Sequence, residues 1–176
     1  MLSNQKLGWK RASGALCVLL LCHSAIAWEN RYEEPDPIQW QENTLELPAY
    51  PESADWLALD VSHLATNRFY LDKKSLSVGS DGVTRYTLIV QTEGGAENVS
   101  YEGLRCSTWE KRIYALGRSA THTWQEARRS NWEHFREAKL NRVHAALAKE
   151  LMCDLTAPNS REEILRRLAA QRMNQR

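Results

Sequence analysis

Cysteine is scarce in this 176-residue chain, and where it occurs it is not arranged for chemistry. The four cysteines, at 17, 22, 106 and 153, contain no C-x-x-C pair, which excludes a thioredoxin-like redox motif. No histidine stands at ligand spacing beside Cys106 or Cys153, so a two-cysteine metal site is not supported. The G-x-S-x-G elbow, the H-E-x-x-H pair and the phosphate-binding glycine loop are all missing. A net charge of +1 is too small to argue for nucleic acid. Beyond the first 22 residues, no run is long and apolar enough to cross a bilayer. There are only five prolines, but Pro35, Pro37, Pro48 and Pro51 crowd one stretch and rule out a long regular element there.

What is present begins with an export signal. Lys6, Lys10 and Arg11 supply a positive start, and Ala12 to Cys22 form a short apolar core. Ala25-Ile26-Ala27 then fits a small-x-small cleavage site, with the cut after Ala27. Leu21 stands where a lipoprotein signal wants a small residue before Cys22, which argues against lipidation. Losing residues 1–27 changes 23 basic and 22 acidic side chains to 20 and 22. The remaining 149 residues suit one domain with a real core. Residues 28–60 carry nine acidic side chains and a single base, Arg31, whereas residues 157–176 carry five arginines and two glutamates. The two ends are expected to be solvated flanks, or to attract one another or separate partners.

Cleavage also changes what the cysteines mean. Cys106 and Cys153 remain as an even pair in an oxidising compartment, and a disulfide between them is expected. Their separation of 47 residues gives roughly 4 kcal/mol in the chain-entropy picture.

The pattern divides the chain into a signal (1–27), an acidic proline-containing arm (28–54), an α+β domain (55–156) and a basic C-terminal helix or tail (157–176). Trp28, Trp40 and Tyr50 are placed to pin the arm to the domain surface. Short strands are predicted at Trp56–Val61, Phe69–Leu71, Leu76–Val78, Val83–Gln91, Asn98–Cys106 and Trp109–Leu116, with turns at Gly79–Gly82 and Gly94-Gly95. Consecutive strands without helical crossovers imply an antiparallel meander of about six strands. Trp124, Ala127, Trp132, Phe135, Val143, Leu147 and Leu151 recur at roughly helical spacing, so residues 122–152 read as one or two helices, with Asn131 a candidate break. The class is α+β, with C-terminal helices on one sheet face and one disulfide fastening helix end to strand. Trp109, Trp124 and Trp132 are expected to finish the core at the sheet–helix junction. Ser160 with Glu163 is a capping box, and the helix behind it reads as a mobile amphipathic end or as a contact for a partner through residues 160–175.

The polar cluster with the best claim to a site is Arg85, Tyr101, Glu102 and Arg105, with Arg112. Alternation puts Arg85 with Thr87 on one face, and Tyr101 with Arg105 opposite Glu102 and Cys106. Such residues form either a solvated ion-paired face or a site for a small anion or peptide, since the arginine fork suits carboxylate and phosphate. The histidines at 63, 122, 134 and 144 are scattered. On one helix His134 and His144 would point about 280° apart. His134 with Glu133 and Glu137 makes only a weak acid–base or metal idea, and no metal or cofactor is expected.

Three segments resemble a known family: Leu47-Pro-Ala-Tyr-Pro51; Phe69-Tyr-Leu-Asp72 leading through Ser75–Gly79 into Asp81–Val90; and Gly95–Cys106. The chain resembles the CNP-like family of exported proteobacterial proteins over about residues 40–155, with Val83–Cys106 the most specific block. More distantly, in layout alone, the meander is similar to surface-adhesin E type domains. The resemblance implies a bacterial envelope protein and brings no activity or catalytic residues. The expectation is therefore a periplasmic protein, or one peripheral to the outer membrane, acting as a non-enzymatic binding or structural module. Its partner would be an envelope protein, peptide or glycan, not a nucleic acid. The alternative is a periplasmic hydrolase or isomerase using Glu102, Arg105 and His134, which requires those side chains to share one pocket.

Overall fold

Val83–Gln91, rich in β-branched and aromatic residues, forms the middle of the sheet in a computed structural model that describes residues 39–61, 66–135 and 142–173. The expected signal, the first part of the arm with Trp28, His63 and Glu137 lie outside the described residues. The strands are β1 (Trp56–Leu59), β2 (Arg68–Asp72), β3 (Ser77–Val78), β4 (Val83–Gln91), β5 (Glu97–Arg105), β6 (Glu110–Arg118), β7 (Thr123–Glu126) and β8 (Glu133–His134). All eight belong to one antiparallel sheet with the path β1-β2-β4-β5-β6-β7. β3 continues the edge of β4 already used by β2, and β8 continues the edge of β6 used by β7. The expected six strands are thus six lanes, two of them interrupted.

The first interruption is the turn after Asp72, whose carboxylate accepts the Ser75 N–H at 2.8 Å. The β3–β4 hairpin turns at Gly82, and the β4–β5 hairpin at Gly95, both at positive φ. β5 and β6 lose register between Tyr101 and Glu102, because Tyr101 faces Ala115 while Glu102 faces Ile113. Tyr114 is the extra residue of this bulge, a device that re-aims one side chain out of a regular ladder.

One sheet face carries the main core. Leu71, Tyr86, Leu88 and Leu104 pack there against α1 (Arg142–Ala146), its π-helical continuation Leu147–Met152, and α2 (Arg161–Met173). The Cys106–Cys153 disulfide joins the end of β5 to the end of the helical segment, with Cα atoms 5.6 Å apart. β9 (Cys153–Asp154) and β10 (Ala157–Pro158) form a small hairpin between the helices.

Two expectations are corrected. Residues 123–126 and 133–134 are strands, not helix; the first α-helix among the described residues is Arg142–Ala146. Thr123, Trp124 and Trp132 are strand formers by propensity, and the free edge of β6 gives residues 123–126 a ladder that helix would forgo. Consequently only Trp109 packs against the main core, while Trp124 and Trp132 lie on the opposite face. The C-terminal helix is also no loose tail. Ile164 and Leu168 are fully buried in the main core, a gain of roughly 1.5–3 kcal/mol each by transfer arguments. Its start is capped as expected on one side, Ser160 Oγ accepting the Glu163 N–H at 3.2 Å. Glu163 itself turns to Arg166 and Arg167, which, by hydrogen bond and charge, hold its carboxyl down at about 2.

Candidate functional site

The register resolves the polar cluster into two sites separated by the sheet. Cross-strand partners share a face, so Arg85 opposite Gly103, Thr87 opposite Tyr101, and Gly103 opposite Arg112 place Arg85, Tyr101, Arg105 and Arg112 together. Glu102, opposite Tyr86, points through to the helical side. Of the five expected residues, four are brought onto one face and the fifth is removed from them.

The arginine face is covered by the arm. Residues 39–52 have no regular secondary structure, and their docking is made by side chains and a few main-chain groups. Glu42 lies at the centre. Its Oε2 accepts from Arg112 Nη1 at 2.6 Å and from Trp132 Nε1 at 3.2 Å, and its Oε1 accepts from the Tyr114 hydroxyl at 2.5 Å and faces Arg85 Nη2 at 3.5 Å. Burial and the hydrogen bond to Glu42 push the Tyr114 hydroxyl far above its ordinary range, so it stays a donor. Gly103 makes the geometry possible: a methyl group there would collide with the Tyr114 ring, which lies across the strand at that point.

Trp40 fills a slot beside the carboxylate. The Arg105 guanidinium lies 3.6 Å from its ring centroid, Trp132 meets it edge-on at 5.8 Å, and its Nε1 donates to the Asp81 carbonyl at 2.8 Å. Asp81 also accepts the Asn43 N–H at 2.8 Å and pairs with Arg85 at 2.6 Å. Burial alone would raise its carboxyl, but the Arg85 hydrogen bond and the Asn43 and Val83 N–H groups hold it below the ordinary value. Farther along, Leu45 packs with Tyr101, Tyr114 and Trp124, the Pro48 carbonyl accepts from Trp124 Nε1 at 2.8 Å, and Tyr50 stacks on His122 at 5.2 Å. Trp40 and Tyr50 are anchors, as expected of aromatics in the arm.

On the helical side, Glu102 is buried in a hydrogen-bonded cluster. It accepts from Ser100 Oγ at 2.6 Å and from the Tyr86 hydroxyl at 3.1 Å, and lies 2.7 Å from His144 Nε2. Burial would raise this carboxyl, but the charge and hydrogen bond of His144, then Ser100 and Lys111, bring it below the ordinary value. The two faces together explain why Glu102, Arg105 and His134 cannot form the one pocket the hydrolase reading required. Glu102 is enclosed behind the sheet, Arg105 is in front of it, and His134 is exposed at β8 beside Glu110.

Sequence reasoning missed Glu42, Asp81, Tyr114 and Trp132 on the arginine face and His144 on the helical side. Glu42 was hidden among seven acidic residues of the arm with no pattern to distinguish it. His144 was legible in principle: Glu102 shares its face with Cys106, and Cys106 was already expected to face the helix containing His144. A groove of about 570 Å³ opens nearby between Tyr50, Glu52, Trp56, Glu97, Ser119 and His122. Among the described residues no group of His, Cys, Asp or Glu is arranged to hold a metal, and no helix is long and apolar enough to cross a membrane.

Comparison with known proteins matches this arrangement to one family. The model of the CNP1-like family matches residues 35–169, beyond the expected 40–155, so the arm from before Trp40 and most of α2 fall inside the match. Cryptic neisserial protein 1 of Neisseria gonorrhoeae (strain ATCC 700825 / FA 1090) is 23% identical over 152 residues, covering 77% of this chain and 74% of that protein. No solved structure matches. The family match spans the arm from residue 35, the sheet, both disulfide cysteines and the buried part of α2, and the chain belongs to the CNP1-like family.

Proposed function

We propose that this protein is a non-enzymatic binding or structural module exported to the bacterial envelope, and that its arginine-lined sheet face is the surface with which it binds. The observation that carries the reading is the convergence of four donors from β4, β6 and the β7–β8 segment on one carboxylate. Three arginines, two of them largely buried, are costly to desolvate, and a fold that needed only a core would fill these positions with apolar residues. The buried Glu102–His144 pair, in contrast, is enclosed and tied to Tyr86 and Ser100, which suits a structural role.

Export rests on the charged start, apolar run and Ala25-Ile26-Ala27 site, and is supported by the disulfide, which persists outside the reducing cytoplasm. Terminal sequencing of the exported protein should begin at Trp28. Binding is tested by placing a photo-reactive side chain at exposed Gln41 and irradiating intact cells. A discrete cross-linked protein, peptide or glycan that disappears with Arg85→Ala and Arg112→Ala is expected. Recovery of the uncrosslinked chain alone, at this and neighbouring arm positions, overturns the reading.

A further inference from the structure

We propose that the arginine face is a receptor for a single carboxylate on an extended aromatic–x–Glu segment of a partner protein, and that Trp40-Gln41-Glu42 of the arm is its tethered occupant. This deepens the binding reading above and rests on it.

Charge balance selects the class of anion. Arg85 is paired with Asp81 at 2.6 Å and Arg105 with Glu110 at 3.3 Å, both inside the fold. The ion pair of Arg112 is with Glu42, at 2.6 Å. With the arm lifted away, Arg112 alone of these three described arginines is left without its ion-pair partner, a single charge that one carboxylate neutralises and a phosphate dianion would over-neutralise. The remaining donors fit the same ligand, since the Tyr114 hydroxyl and Trp132 Nε1 are neutral and each reaches a different Glu42 oxygen. Two residues before the carboxylate, the slot between Arg105 and Trp132 takes an aromatic ring, and Asp81 reads the main chain at the residue after it. Aromatic, spacer and carboxylate are therefore all recognised in one extended register.

The occupant in place is not the best one the site admits. Arg85 Nε and Thr87 Oγ1 are buried and have no hydrogen-bond partner among the described residues. They belong to adjacent same-face positions of β4, so a segment with further acceptors gains bonds that the arm leaves unmade. The main chain of residues 39–52 is also outside the ladder, so its release breaks no sheet hydrogen bonds. An identical arm from a second copy gains none of these bonds and loses the advantage of tethering. A short tether gives an effective concentration on the order of 1 mM, so an arm of ~100 μM intrinsic affinity weakens any competitor about tenfold. That threshold favours a foreign segment over self-exchange.

The test uses the full chain with Trp40→Ala and Glu42→Ala, which releases the occupant, and a fluorescein-labelled synthetic peptide of residues 39–50 read by anisotropy. Saturable binding to the released variant, at least tenfold weaker binding to the unsubstituted chain, and at least tenfold loss when the peptide carries Glu42→Gln are expected. Adding Arg112→Ala to the released variant should remove binding. Equal affinity for the Glu42→Gln peptide overturns the carboxylate rule, and tighter binding of a peptide with phosphoserine in place of Glu42 overturns the single-charge class. No binding by a released variant that still melts cooperatively overturns the receptor itself; if that variant does not fold, the single Glu42→Gln chain is used for the same comparison. Cellular cross-links that persist in the face of any of these failures would keep the binding module and remove only this ligand.

Discussion

Arg112 Nη1 lies 2.6 Å from Glu42 Oε2, across 70 residues of sequence, and this contact joins the arm to the sheet. Glu42 is mostly buried and Arg112 about a third exposed, so the pair lies between the weak surface case and the strong buried one. A double-mutant cycle with Glu42→Ala and Arg112→Ala should give a coupling of about 1 kcal/mol in urea unfolding. Additivity within the error of the two single variants would show that the arm is held by Trp40 and Tyr50 instead.

Gly103 is required by the Tyr114 ring that lies over it. Gly103→Ala forces either the ring or the bulge to shift, and overpacking of this kind costs about 1–3 kcal/mol. The substitution should also weaken the arm, because Tyr114 can no longer reach Glu42. Limited proteolysis checks this, with cleavage between residues 39 and 50 accelerated relative to cleavage in the β4–β5 region. Tyr114→Phe, which keeps the ring and removes the hydroxyl, should accelerate arm cleavage with a smaller loss of stability.

How much of this was readable before the structure depends on whether the signal was local. Val83–Gln91 announces itself by composition, and the Gly82 and Gly95 turns fix its neighbours, so the centre of the sheet and the separation of Glu102 from Tyr101 and Arg105 follow from alternation alone. The disulfide followed from counting the cysteines that the expected cleavage would leave. Residues 123–134 were misread because their apolar spacing mimics a helix, while the decisive influence, the free edge of β6, is distant in sequence. Register defeated the site in the same way. Which arginine meets which partner depends on the bulge at Tyr114 and on an arm that no periodicity aligns with the sheet.

His144 is the buried partner of Glu102, at 2.7 Å. His144→Ala leaves a carboxylate enclosed with only Ser100 and Tyr86 to serve it, and breaking a buried pair from one side costs about 3–5 kcal/mol. Replacing both partners, as Glu102→Gln with His144→Leu, should recover a large part of that loss. Thermal melts of the three chains test this, and a double variant as unstable as His144→Ala would point to packing against Phe135 as the main contribution.

The Cys106–Cys153 bond closes 47 residues and ties β5 to the helical segment that covers it. Chain entropy assigns it roughly 4 kcal/mol, with strain and residual structure reducing the measured value to about 2–4 kcal/mol. Cys106→Ser with Cys153→Ser should lower the unfolding free energy, read from denaturant titration, by an amount of that order. Non-reducing peptide mapping should recover the linked pair from the native chain, and two free thiols would contradict the structure.

Acid should unfold the protein through Asp81 and Glu102. Both carboxyls are held below their ordinary values in the folded state, so each contributes stability that is present above the unfolded value, near pH 4, and is lost as pH falls through the folded value. The melting temperature is expected to be limited by other groups above about pH 5 and to fall steadily below about pH 4. Asp81→Asn should lower stability near neutrality, because Arg85 loses its carboxylate, yet converge on the parent chain in strong acid, where Asp81 would be protonated anyway. Parallel curves for the two proteins down to pH 2 would mean that the Asp81–Arg85 pair adds nothing to folding. In that case Arg85 would be held by the sheet around it, and the charge arithmetic that reserves Arg112 for one carboxylate would have to be redrawn.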